Sequence, residues 1–151
     1  MLTAYSGKLG LGTMINQDVT KYLNITQEQL AKMSPDECME AAFLLEREAL
    51  FLQQEINNNQ AQIDWITIRI KKTITADVAN YGGKYTPYED RAVLAIKGNS
   101  YAAELDAKAN KAKLNITKLN YIPTHLKNIA ATLTKCSFSK RGVNHETSRS
   151  S

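Results

Sequence analysis

Apolar residues recur at alternating steps of three and four along two stretches of this chain. The first row is Ala42, Leu45, Ala49, Leu52, Ile56, Asn59, Ile63, Ile66, Ile70 and Thr73. The second is Tyr101, Leu105, Lys108, Ala112, Asn115, Leu119, Ile122, Leu126, Ile129 and Leu133. Between them lies Tyr81-Gly82-Gly83-Lys84-Tyr85-Thr86-Pro87. A narrow apolar stripe of 3.5-residue period keeps one seam facing a partner helix, which is the coiled-coil pattern. The expected fold is all-α: a long helical hairpin with heptad seams, assembling into an oligomeric bundle or ring. Leu45, Leu52, Ile56, Asn59, Ile63, Ile66, Ile70, Leu119, Ile122, Leu126 and Ile129 are the expected oligomer seam.

Start and stop signals divide the chain into an N-terminal arm with a short helix (1–33), a helical hairpin (34–136) and a flexible basic tail (137–151). The stretch Ser6-Gly7-Lys8-Leu9-Gly10-Leu11-Gly12 lacks the phosphate-cradle spacing and reads as a flexible arm. Thr26-Gln27-Glu28-Gln29 is a capping box that opens a short helix to about Met33. Ser34, Pro35 and Glu37 give the long helix an N-cap, a first-turn proline and a second box. No Gly or Pro interrupts it before Gly82, so it runs for about 45 residues. Thr86-Pro87-Tyr88-Glu89 repeats the start signal for a helix to Lys97, and Gly98-Asn99 marks a bend. A last helix covers about Ser100 to Lys135, with a kink expected at Pro123. Asn59 and Asn115 reach similar heights if the two rows fold back antiparallel, and a polar pair on a seam sets register.

Mean hydropathy is -0.37 and aromatics are 7% of residues, which is lean for a compact globule. No basic run and apolar stretch follow Met1, and no segment approaches about 18 apolar residues, so neither a signal peptide nor a membrane partner is expected. Cys38 and Cys136 are expected as free thiols of a reducing cytoplasm. The net charge of +4 is unevenly spread. Residues 34–66 hold seven acidic side chains against Arg47 alone, whereas residues 67–143 hold fourteen basic against five acidic. The basic part suits a polyanion, the acidic part a basic protein, and an acidic helix face paired with a basic one across the hairpin is the alternative.

Covalent chemistry is not expected. His125 and His145 are the two histidines, no Cys/His spacing resembles a zinc site, and no Ser or Cys has a base beside it in the pattern. Glu89 and Asp90 are adjacent, so on a helix they point apart. Neither a cofactor nor a metal is predicted, and the chain reads as a non-enzyme.

Around the break, Arg69, Lys71, Lys72, Lys84, Arg91 and Lys97 alternate with Tyr81, Tyr85 and Tyr88. Cations neutralise phosphates and tyrosines offer stacking faces, the combination that binds single-stranded nucleic acid. A solvated turn with ordinary surface lysines is the other reading of the same residues. The candidate nucleic-acid-binding residues are Arg69, Lys71, Lys72, Tyr81, Lys84, Tyr85, Arg91 and Lys97.

The order of landmarks resembles the UvsY-type phage recombination mediators. The matching pieces are Glu40-Ala41-Ala42, Arg69-Ile70-Lys71-Lys72, Tyr81-Gly82-Gly83, Asn120-Tyr121-Ile122 with Leu126-Lys127-Asn128-Ile129, and Phe138-Ser139-Lys140-Arg141. They cover about residues 36–142. The family's Lys-x-Arg element falls here on Thr75 and Asp77, and the basic load sits instead at Arg69, Lys71, Lys72 and Lys84. The resemblance implies a homo-oligomeric accessory protein of recombination, without catalytic activity, in the cytoplasm of an infected host cell. It implies binding to single-stranded DNA, contacts with a phage single-strand-binding protein and recombinase, and help in replacing the first with the second. The alternatives are a helical virion or scaffold adaptor with no nucleic-acid role, and a helical inhibitor of a DNA-binding protein.

Overall fold

The computed structural model describes residues 16–150, with side chains described as far as Gly142; the glycine-rich stretch at residues 6–12 lies outside these. Six α-helices and one 3-10 turn follow in order: α1 (Gln17–Thr20), α2 (Gln27–Lys32), α3 (Pro35–Ile74), the 3-10 turn (Val78–Asn80), α4 (Tyr88–Lys97), α5 (Ser100–Leu119) and α6 (Ile122–Ser150). The described residues contain no β-strand, so the chain is all-α. Its described residues divide into two compact units, one from residues up to 55 together with those from 118 on, and the other from residues 56–117.

Two helix starts follow the expected local chemistry, whereas the helix at Tyr88 begins on Pro87 with no side-chain cap, the Thr86 hydroxyl turning back to the Gly83 N–H. Thr26 Oγ1 accepts from the Gln29 N–H at 3.1 Å while Gln29 Oε1 accepts from the Thr26 N–H at 3.0 Å. Ser34 and Glu37 close the same reciprocal box at 3.1 and 3.2 Å, so two orphan donors at the head of α3 are satisfied.

In the first unit the buried row of α3 is Cys38, Ala41, Ala42, Leu45, Ala49 and Leu52, and that of the following helices is Leu119, Ile122, Leu126, Ala130 and Leu133. Val19 and Leu23 are also buried. Residues expected as a flexible tail are instead helical, since α6 continues through Ser137. Ser137 is buried, its hydroxyl donating to the Pro35 carbonyl at 2.8 Å, and Arg141 pairs with Asp36. Lys140 Nζ donates to the carbonyls of Leu30, Ala31 and Met33, placing a cation at the C-terminal end of α2. These bonds tie the last described turns down, which the Ser/Lys/Arg composition of the segment conceals.

In the second unit Ile66, Ile70, Ile74 and Val78 form one cluster with Ala95, Ala102, Leu105 and Ala109. Asn115 Nδ2 donates to Asn59 Oδ1 at 3.3 Å and Arg69 reaches Tyr101, so α5 runs antiparallel to this part of α3. The pairing expected for the two asparagines is present.

Several seam positions differ from the strict heptad. Ala102, Ala109 and Ala130 are buried where Tyr101, Lys108 and Ile129 were expected, and Ile74 replaces Thr73. A buried Lys108 would leave an ammonium unpaired in an apolar layer, and small alanines let bulky isoleucines interdigitate. From Ile122 through Leu126 and Ala130 to Leu133 the buried positions step by four, four and three, closer to the 3.6 helical period than to 3.5. More consequentially, Leu45, Leu52, Ile56, Ile63, Ile66, Ile70, Leu119, Ile122 and Leu126 are all buried within the single chain. Within one chain they are core residues.

Two helix ends also move. The first long helix stops at Ile74, short of Gly82. Thr73 and Thr75 turn their hydroxyls back onto the carbonyls of Arg69 and Lys71, a bond that competes with the helix, and the chain turns to bury Val78. The last helix breaks at Asn120–Tyr121 and restarts, so Pro123 lies in a first turn, where its missing N–H costs nothing, instead of kinking an interior.

Replacing Asn59 alone by Leu strands the Asn115 amide and is expected to lower stability by about 1–2 kcal/mol in chemical denaturation. Asn59→Leu with Asn115→Leu should recover most of that loss. Equal, additive losses from the two changes would show that the pair is not coupled.

Candidate nucleic-acid interface

One side chain spans the turn from residue 79 to 86. Arg91 Nε donates to the Thr86 carbonyl at 2.9 Å, Nη1 to those of Tyr81 at 2.7 Å and Ala79 at 3.4 Å, and Nη2 to that of Gly83. Gly82 sits at φ 77, a left-handed conformation that glycine adopts without strain. The Thr86 hydroxyl accepts from the Gly83 N–H at 2.7 Å. Arg91, expected at the DNA, is therefore a clamp on four backbone carbonyls. Tyr81 also leaves the candidate set as a stacking face, because it is half-buried against the isoleucine–alanine cluster. A Cβ on Gly98 would stand 2.1 Å from its hydroxyl oxygen.

The remaining cations are outside. Arg69, Lys71, Lys72, Lys84 and Lys97 are all exposed, and none is ion-paired among the described residues. Arg69 Nε donates to the Tyr101 hydroxyl at 3.3 Å, with its guanidinium carbon 5.9 Å from the ring centroid. Contact with a ring leaves the charge in place while restraining a long side chain. Lys84 Nζ lies 5.7 Å from the Tyr85 ring, and Tyr85 is 89% exposed. Lys71 and Tyr88 line one groove of about 660 Å³ with Thr75, Val78, Ala79 and Arg91. Lys97 is in the last turn of α4, where its charge complements the helix dipole, and it is not among the residues that line this groove.

The structure thus groups Lys71 with Tyr88 and Arg69 with Tyr101. Tyr88 belongs to the aromatic and basic pattern of the break but not to the candidate binding residues, and Tyr101 was placed on the seam. The run Tyr101-Ala102-Ala103 holds the clue, because the small residue enters the core and the large amphipathic ring stays out.

Among the described residues no cluster of His, Cys, Asp or Glu is arranged to hold a metal ion. Cys38 is buried and Cys136 partly so, both as free thiols. Burial pushes the Cys38 thiol above its ordinary pKa, opposed by the charge of Lys140, so it is held in the unreactive protonated form. No helix of the described residues is long and apolar enough to cross a membrane.

Comparison with known proteins returns no match: no family model, curated protein or solved structure aligns with this chain.

Arg91→Ala should open the segment 79–86, with a loss on the order of 2 kcal/mol in thermal unfolding and faster proteolysis there. Arg91→Lys should rescue little, because an ammonium cannot replace a planar fork that reaches several carbonyls. Rescue by lysine would reduce Arg91 to a surface charge.

Proposed function

We propose that this chain is a non-enzymatic single-stranded-DNA-binding protein that works as a homo-oligomer and acts as a recombination mediator. In this reading it helps load a phage recombinase onto DNA covered by single-strand-binding protein, in the cytoplasm of an infected host cell. The observation that carries DNA binding is the set of exposed cations Arg69, Lys71, Lys72 and Lys84, none ion-paired among the described residues, with Lys71 beside Tyr88 and Arg69 beside Tyr101. Three of the four stand on one helix whose opposite side is locked in a core, so their positions are preset. The order of landmarks shared with UvsY-type proteins supports the mediator role and its two protein partners.

Each subunit offers few cations, so useful affinity requires several subunits acting on one strand. Because the heptad residues are consumed within the chain, assembly falls to outward apolar side chains such as Phe43, Leu50 and Phe51, which are 63, 59 and 50% exposed. The same residues favour the second reading, a scaffold adaptor whose only task is assembly. Regular polymers formed without DNA, together with no binding to single strands, would select it.

The deciding experiment titrates a labelled single-stranded oligonucleotide across a salt series and records solution mass on the same sample. With about six phosphates neutralised, the log–log salt slope should be near -4. The triple change Arg69→Ala, Lys71→Ala, Lys72→Ala should keep mass and helicity, weaken binding at least tenfold and flatten the slope. Undiminished binding by that variant would remove the site.

A further inference from the structure

Trp65 is the single tryptophan of the chain, and it is 58% exposed on α3. Large aromatic side chains left in water on a helix that has already buried its core face call for an explanation. Ile66, Ile70 and Ile74 mark the core side of this part of α3. At 3.6 residues per turn Trp65, Ile68 and Lys72 fall almost opposite them, with Arg69 on the edge of the same face. Ile68 is also 58% exposed, and Arg69 and Lys72 are exposed and without ion-pair partners among the described residues. One outward strip thus carries a flat ring, an aliphatic neighbour and two cations within two turns.

We infer that Trp65 is a stacking platform for one unpaired nucleobase, with Arg69 and Lys72 on the flanking phosphates; this rests on the single-strand-binding reading above. Charge decides the occupant. Around the exposed Met39 and Phe43 the groove is lined by Asp36 and Glu40, which repel a polyanion. Around Trp65 the neighbours one and two turns on are cations, which draw one and oppose the approach of an identical cationic strip. Asp64 is the acidic neighbour, and it accepts from Gln60 at 2.9 Å. The turn tyrosines do not take this role as well: Tyr81 is packed, and Tyr85 has Lys84 over its ring. A ring that must meet a base face requires bases free of a duplex stack, so Trp65 makes the site prefer single strands over duplex.

The single tryptophan makes the test direct. Oligothymidylate added to the full chain should quench Trp65 emission in step with binding. Trp65→Ala, checked for native helicity, should weaken single-strand affinity on the order of tenfold, leave duplex affinity unchanged and so erode the preference between them. Trp65→Phe should retain most of the affinity. If wild-type protein binds single strands while Trp65 emission and Trp65→Ala affinity stay unchanged, the platform is wrong and the DNA-binding reading survives. If wild-type protein binds no single strand at low salt, both fall. Emission that responds to protein dilution and not to DNA would place Trp65 in a contact between copies and overturn the inference.

Discussion

The fit of bulky isoleucines against alanines organises the second unit. Ile66, Ile70 and Ile74 fill the space left by Ala95, Ala102 and Ala109, which allows close approach at interior density. That contact fixes which side of α3 faces inward, and therefore which residues face out. Arg69 and Lys72 are displayed because the isoleucines beside them are not. It also demands a tight return from Ile74 to Tyr88, which Gly82 and the Arg91 clamp supply. Substituting a larger residue for Ala102 would therefore disturb the displayed surface as well as the core.

Side chains of the same positive charge end in different roles according to what they face. Arg91 meets four carbonyls and becomes part of the turn, Lys140 meets the open end of α2, and Arg141 meets Asp36. Lys71, Lys72 and Lys84 meet solvent. A formal count over residues 67–143 treats all of these alike, so it overstates the charge available to a partner. One ion pair among the described residues, Arg141 with Asp36, joins the acidic and basic segments of the first unit.

Much of the architecture was legible because it depends on local rules. Capping boxes at Thr26 and Ser34, the start before Tyr88 and the Asn59–Asn115 pairing all follow from neighbours a few residues apart or from a shared period. What could not be read was who covers the seam. A heptad row looks the same whether its partner is another copy or a later part of the same chain, and here it is the latter. The roles of Arg91 and Tyr81 were hidden for a related reason. Both depend on a turn whose carbonyls and ring converge only in three dimensions, while the sequence displays only a cation and an aromatic near each other. The helical continuation through Ser137 was hidden too, since polar side chains there bond to backbone more than 100 residues away.

Gly98 has φ -80, a value open to every residue, so its need is for space and not for conformation. The space belongs to the Tyr81 hydroxyl, on a ring already seated against the core. Positions 81 and 98 are therefore not free to drift separately over evolutionary time. A lineage that acquires a side chain at 98 must first, or at once, shrink the ring at 81. Among descendants of this chain the two sites should change as a pair, tyrosine with glycine or a smaller residue with a larger one, although 17 positions separate them in sequence.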